Sequence, residues 1–238
     1  MVSNTQIAPR TYRMKLKGDT SAICGSGQFV QVSLPGFFLR RPISIYEYDW
    51  ESVTLVYRVV GKGTDAMSRL TVSDRLRVIT GLGKCFDIDA CRQDALLIGG
   101  GVGAAPLYEL AKELTSQGKN VTVILGFNCR EEMMLKEEFE YLGAKVIVST
   151  ADGSAGTKGF VTDALRLSNI RYDYFYTCGP KAMMKAVCGM IHTKGEVSLE
   201  ERMGCGFGIC YGCTCNTASG PKRVCADGPV FKKEEVIW

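Results

Sequence analysis

Histidine is almost missing from this chain: His192 is the only one in 238 residues. That scarcity argues against a site completed by a pair of imidazoles. Charge of one sign is missing too. The net charge is only +4, and no basic run carries interleaved aromatics, so no nucleic-acid partner is expected. No apolar stretch reaches the roughly 18 residues of a membrane span. The opening MVSNTQIAPRTYRMKLKG lacks the apolar core of a signal peptide. Eleven cysteines without a sign of secretion point to a reducing cytoplasm and no membrane. A hydrophobic share of 46% describes a globular chain with room for two modest domains and a small appendage.

What is abundant is cysteine in one place, SLEERMGCGFGICYGCTCNTASGPKRVCADGPVF. Cys205, Cys210, Cys213 and Cys225 follow the order C-x4-C-x2-C-x11-C. The first part is the plant-type spacing for a [2Fe–2S] cluster, whose fourth thiolate arrives from further along. A two-iron rhomb must be gripped from several sides. Gly204, Gly206, Gly208 and Gly212 allow a loop to wrap it and to aim N–H groups at sulfur. Disulfides or a structural zinc are the competing readings. Zinc usually takes a second C-x2-C pair or histidines, and the chain offers one such pair and one histidine. Cys215 is spare, either a small packing residue or a replacement for Cys213 as ligand.

Residues 1–92 read as short strands and turns. Strands are expected over Thr11–Leu16, Gln28–Leu34, Val53–Val60 and Arg75–Ile79, the last ending at a Gly81-Leu82-Gly83 turn. This spacing suggests a small antiparallel barrel. Two motifs stand out. In Arg41-Pro42-Ile43-Ser44 an arginine leads a short extended turn, which suits a phosphate and a polar ring edge. Gly61-x-Gly63-Thr64 opens an amphipathic segment, as a phosphate-cradling helix start would. Taken singly, Arg41 is equally a surface charge and the glycines an ordinary turn.

From Asp94 strands alternate with helices, which argues for a parallel sheet covered on both faces. Strands are expected over Ala95–Ile98, Val121–Leu125, Lys145–Ser149 and Tyr172–Thr177. Helices are expected beyond Pro106 and over Met133–Tyr141, Val161–Leu167 and Lys181–Met190. The run Gly99–Pro106 follows the first of these strands, where N–H groups and a helix dipole would receive a pyrophosphate. Ala104 and Pro106 keep it from a strict G-x-G-x-x-G. Cys178-Gly179-Pro180 ends a later strand, where a small thiol and a glycine would let a flat ring approach. Cys178 as a plain buried cysteine stands equally open. At the second strand tip, Arg130 followed by Glu131 and Glu132 leaves NAD against NADP undecided.

The order of these motifs resembles the ferredoxin-reductase superfamily and, more closely, the electron-transfer subunits of type B dihydroorotate dehydrogenases. The resemblance covers nearly the whole chain and is most specific in RPISI, YRVVGKGT, SLEERMGCGFGICYGC and VCADGPVF. It implies a flavin-binding barrel over 1–92, an NAD-binding α/β domain over 93–192 and a small [2Fe–2S] domain over 193–238. It places FAD along Arg41, Pro42, Ile43, Ser44, Val56, Tyr57, Arg58, Gly63 and Thr64, with Arg41 at the pyrophosphate. It places NAD near Gly100, Gly101, Val102, Gly103, Cys178, Gly179 and Pro180, and the cluster on Cys205, Cys210, Cys213 and Cys225. No side chain is expected to be an essential acid or base. The implied partner is an FMN-bearing catalytic subunit, two of each chain forming a heterotetramer. That partner would dock at the cluster loop with Phe207, Ile209 and Tyr211, although these three equally suit local packing. The implied task is relaying electrons from the partner to NAD+ in pyrimidine biosynthesis. Rival readings are a subunit of another oxidoreductase complex, a reductase of small acceptors acting alone, and a zinc-stabilised nucleotide-binding module.

Overall fold

The computed structural model describes residues 1–238. Its first sheet is antiparallel. It is built from β1 (Ser3–Ala8), β2 (Thr11–Lys17), β3 (Phe29–Ser33), β4 (Arg41–Tyr48), β5 (Ser52–Arg58) and β6 (Arg77–Leu82). The strand order is β1-β2-β5-β4-β3-β6. Side chains alternate across a strand. Val30 and Val32 of β3 therefore join Met14, Leu16, Ile45, Val53, Leu55 and Tyr57 in one buried core. The helix α1 (Lys62–Ser68) closes one end of that core with Met67. This wrapped sheet is the antiparallel barrel that the spacing of short strands suggests, although β1 and β6 lie at its two ends and do not pair.

Two strands escape the sequence pattern. β1 carries a mixed half-exposed surface and no apolar alternation. β4 is an eight-residue strand where the sequence suggests only a short extended turn, because its first four residues are all half-buried and give no period of two. β6 starts two residues later than expected, at Arg77, and runs on through Gly81 and Leu82 into the expected turn.

The second sheet has the order β10-β9-β8-β7-β11-β12-β15. Its strands are β7 (Asp94–Gly100), β8 (Asn120–Phe127), β9 (Lys145–Thr150), β10 (Thr157–Lys158), β11 (Tyr174–Cys178), β12 (Gly195–Ser198) and the antiparallel edge β15 (Val230–Lys232). The helix α2 (Pro106–Ser116) packs Leu107, Leu110, Ala111 and Leu114 with Leu97 and Leu125 on one face. On the other face, α4 (Val161–Leu167) and α5 (Lys181–Met190) pack Val161, Ala164, Leu165 and Val187 with Leu96, Ile98 and Ile124. The expected helix at Met133–Tyr141 shrinks to α3 (Lys136–Tyr141), because Leu135 takes a left-handed φ of 65°.

The chain ends in a hairpin, β13 (Thr214–Thr217) with β14 (Gly220–Arg223), and a short helix α6 (Val224–Asp227). Cys213, Val224 and Cys225 share a core with Phe29 and Leu82 of the barrel and Met184 of α5. The two large sheets meet along α2. Tyr46 stacks on Tyr108 at 4.4 Å, Lys112 pairs with Glu47, and Ser26 donates to Glu113 at 2.6 Å. No helix is long and apolar enough to cross a membrane.

Candidate functional site

The topology reverses at β7. From this strand the chain moves outward through β8 on one side and returns at β11 on the other. Ligands bind beyond the carboxyl ends of strands at such a switch point. Cys178, which ends β11, pairs in register with Gly99 of β7, so the glycine run and the Cys178–Pro180 segment are neighbours. They touch backbone to backbone. A Cβ on Gly103 would lie 2.6 Å from the Cys178 carbonyl oxygen.

A cavity of about 470 Å³ opens there, lined by Gly100, Gly101, Asn128, Glu132, Pro180 and Met183 among others. Gly103, Cys178 and Gly179 do not line it. They hold the two strand ends together beneath it. Cys178 is fully buried and burial pushes its thiol well up, so it packs as a small neutral group. At the tip of β8, Arg130 is turned away, its Nε and Nη2 donating to the Ser154 carbonyl at 3.0 and 2.7 Å.

A second cavity, of about 440 Å³, lies between the barrel and the α/β domain. Arg41, Pro42, Ile43, Ser44, Val56, Tyr57, Arg58 and Thr64 form its barrel wall. Tyr57 turns its ring into the barrel core and donates to Asn4 at 3.0 Å, which leaves its main chain for the cavity. Arg41 has no carboxylate partner. Its guanidinium lies over the Phe37 ring and across the start of α1. A Cβ on Gly63 would fall 1.8 Å from Arg41 Nε, so a larger residue there would push the guanidinium out of this cradle. The Thr64 hydroxyl accepts from the N–H groups of Val60 and Gly61, and it thereby holds the turn rather than reaching outward.

The opposite wall is Val102 and Pro106 with Leu199–Met203 and Pro229. The 199–203 segment was legible as part of a motif but not as a cavity wall, because nothing local aims it at the barrel. Arg58 lines both cavities and is fixed by Glu132 at 2.6 Å. The two cavities therefore share a corner.

Two residues past Met203 the cysteine loop begins. Cys205 Sγ receives the N–H groups of Ile209 and Cys210 at 3.3 and 3.5 Å. Cys210 Sγ receives those of Cys205 and Gly212, and Cys213 Sγ that of Cys225 at 3.4 Å. Burial opposes charge on Cys205, but the N–H groups of Cys210, Phe207 and Ile209 outweigh it and hold the thiol down at about 6. Burial pushes Cys225 up to about 12, and the adjacent Cys213 adds to the shift. The thiols thus come as two pairs, Cys205 with Cys210 and Cys213 with Cys225. No three His, Cys, Asp or Glu side chains gather as a single zinc ion demands. Two such pairs suit a two-iron rhomb, and the N–H donors suit its charged sulfurs. Cys215, half-buried on β13, is not among them.

One brace was invisible in the sequence. Arg223 donates to Asp227 through Nε and Nη2 and to the Gly208 carbonyl at 2.9 Å, while lying over the Tyr211 ring. It ties the cysteine loop to the helix that carries Cys225.

Comparison with known proteins agrees with this geometry. The family described as "Iron-sulfur cluster binding domain of dihydroorotate dehydrogenase B" matches residues 200–237, and "Oxidoreductase NAD-binding domain" matches residues 97–189. A solved structure of an NADH-dependent reduced ferredoxin-NADP oxidoreductase superposes with a TM-score of 0.92 at 33% identity, covering 100% of this chain and 88% of that one. The protein "Dihydroorotate dehydrogenase B (NAD(+)), electron transfer subunit" of Fusobacterium nucleatum is 43% identical, over 98% of this chain and 95% of its own length. Its namesake in Listeria monocytogenes serotype 4a is 44% identical, over 99% and 96%. The chain belongs to the family of dihydroorotate dehydrogenase B (NAD(+)) electron transfer subunits.

Proposed function

We propose that this chain is the electron-transfer subunit of an NAD-linked dihydroorotate dehydrogenase, working between NAD+ and an FMN-bearing catalytic partner in pyrimidine (UMP) biosynthesis. One observation carries the reading. The cavity on the barrel has a second cavity at its Arg58 corner and, along Leu199–Met203, a wall that leads straight into the cysteine loop. When bound, FAD exchanges electrons in pairs or singly, a [2Fe–2S] cluster carries one, and NAD+ takes a hydride.

The residues of the chain hold, orient and shield. Arg41, whose Nη1 donates to the Leu39 carbonyl and which has no carboxylate partner, would bind the FAD pyrophosphate, with Gly63 leaving room for it and Thr64 fixing the turn beside it. Pro42, Ile43, Ser44, Val56, Tyr57 and Arg58 would line the flavin. Gly100, Gly101 and Pro180 would admit NAD, with Val102 at the boundary and Gly103, Cys178 and Gly179 setting the floor. Arg130 is spent on Ser154 while Asn128 and Glu132 face the cavity, which supports NAD over NADP. Cys205, Cys210, Cys213 and Cys225 would hold the cluster. Residues 1–92, 93–192 and 193–238 are the three working units of this reading, with β12 and β15 of the last stretch completing the sheet of the second. Holding the reacting groups in one geometry is the main contribution of the protein.

Phe207, Ile209 and Tyr211 stand 49%, 73% and 64% exposed around Cys210. They support docking of the catalytic partner over the cluster loop, where apolar contact keeps water away. Two copies of each chain would form the heterotetramer, in the cytoplasm. The test is anaerobic purification of the chain with its bound partner. One FAD, two irons and two sulfides per chain, with an FMN protein that oxidises dihydroorotate, are expected. Colourless, zinc-loaded material would overturn the reading, and a partner with another substrate would move the chain to another complex.

A further inference from the structure

Gln31 of β3 is 0% exposed, and neither its Nε2 nor its Oε1 has a hydrogen-bond partner. Buried amides are rarely left so, and each such case calls for a partner group. β3 gives Val30 and Val32 to the barrel core, so Gln31 points out of the barrel, on the same face as Phe29. Phe29 and the cross-strand neighbour Pro42 line the flavin cavity, but Gln31 does not. Its amide is pressed instead against Gly206, the residue after Cys205. A Cβ on Gly206 would lie 2.4 Å from Gln31 Nε2, and the φ of +84° there also favours glycine. The loop leaves room at that point for this one side chain.

The loop's own donors are already committed. The N–H groups of Cys205, Ile209, Cys210 and Gly212 point at thiol sulfurs. No cysteine sulfur lies within hydrogen-bond reach of Gln31, so the acceptor left for it is an inorganic sulfide of the bound cluster. Resting on the iron–sulfur reading above, we infer that Gln31 donates its side-chain N–H to a sulfur on the Cys205 side of the cluster and thereby sets its reduction potential from the barrel. Reduction adds negative charge to a sulfur-rich group, so a donor fixed by a β-strand favours the reduced state and raises the potential. Gln31 pairs with Pro42 across the sheet and abuts Gly206, so it lies between the flavin wall and the cluster loop.

The test uses the complete flavoprotein, purified without oxygen. Glutamine carrying 15N in its side-chain amide is incorporated, and the dithionite-reduced cluster is probed by pulsed EPR. A 15N coupling together with an exchangeable proton is expected in the wild type and lost in Gln31→Met. In Gln31→Met and Gln31→Leu, which remove the donor at similar volume, the cluster potential is expected to shift negative while NADH still reduces the flavin at the wild-type rate. Packing alone would leave the potential unmoved, so fully loaded variants at the wild-type potential overturn the assignment. If the variants take up no cluster, the wild-type coupling decides, and its absence overturns the assignment. Wild-type material without any EPR signal would sink the iron–sulfur reading and this inference together.

Discussion

The nucleotide end and the cluster end solve the same problem, gripping a redox group, by opposite means. At the β7–β11 switch point the grip is main chain. Gly100, Gly101 and Pro180 line a cavity whose floor is one backbone packed on another, with Gly103 against Cys178 and Gly179. On the proposed reading the other end grips by side chain: four thiols on one continuous stretch, steadied by the Arg223–Asp227 brace. The difference bears on tolerance. A backbone cradle fails when something is added to it, whereas a thiolate cage fails when something is taken away.

Three substitutions would sharpen or break that contrast. Cys210→Ser removes a ligand and should abolish the cluster and all electron delivery to the partner, while NADH reduction of FAD stays within about twofold of wild type. Stopped-flow flavin bleaching and partner turnover measure both, and normal delivery would refute the contrast. Gly103→Val adds atoms where 2.6 Å is free. A displacement of this size costs about a hundredfold in NADH-driven flavin reduction. Its EPR spectrum should be unchanged, which separates the two ends from the other side. Arg223→Ala removes the brace that ties the cysteine loop to α6. The cluster should assemble but bleach faster under a chelator, with flavin reduction untouched.

The smallest effect on activity belongs to the seam between the domains. Burial pushes the Glu109 carboxyl up to about 7 against its ordinary 4.5, with Lys112 beside it lowering it and Glu113 raising it. The folded state then binds more protons than the unfolded one between pH 4.5 and about 7, so this group's contribution to stability falls as pH rises through that window and is level above it. Glu109→Gln should flatten the slope, by an amount on the order of 1–3 kcal/mol across the window, as denaturant melts at pH 5 and pH 8 would read. Turnover should barely change, since Glu109 lines neither cavity.

Legibility followed the chemistry of each part. The helices α4 and α5 were read with their bounds intact, because their apolar residues recur at helical spacing. β4 was not, although it carries the Arg41–Ser44 motif, because a strand half-buried on both faces shows no alternation. The partners Glu132 for Arg58 and Glu113 for Ser26 were out of reach, since 74 and 87 residues separate them and no local pattern marks either pair.

By itself the sequence determined much of what depends on short spacing. The four cysteines, the glycine run after β7 and the alternation of strand and helix are properties of neighbouring residues, and neighbouring residues meet whatever the rest of the chain does. Only the tertiary structure decided which distant segments face one another. It set Leu199–Met203 across from β4, put Arg58 at the corner of two cavities, and pressed Gln31 onto Gly206. Those meetings are the product of burying three apolar cores at once, and that sum is written nowhere along the chain.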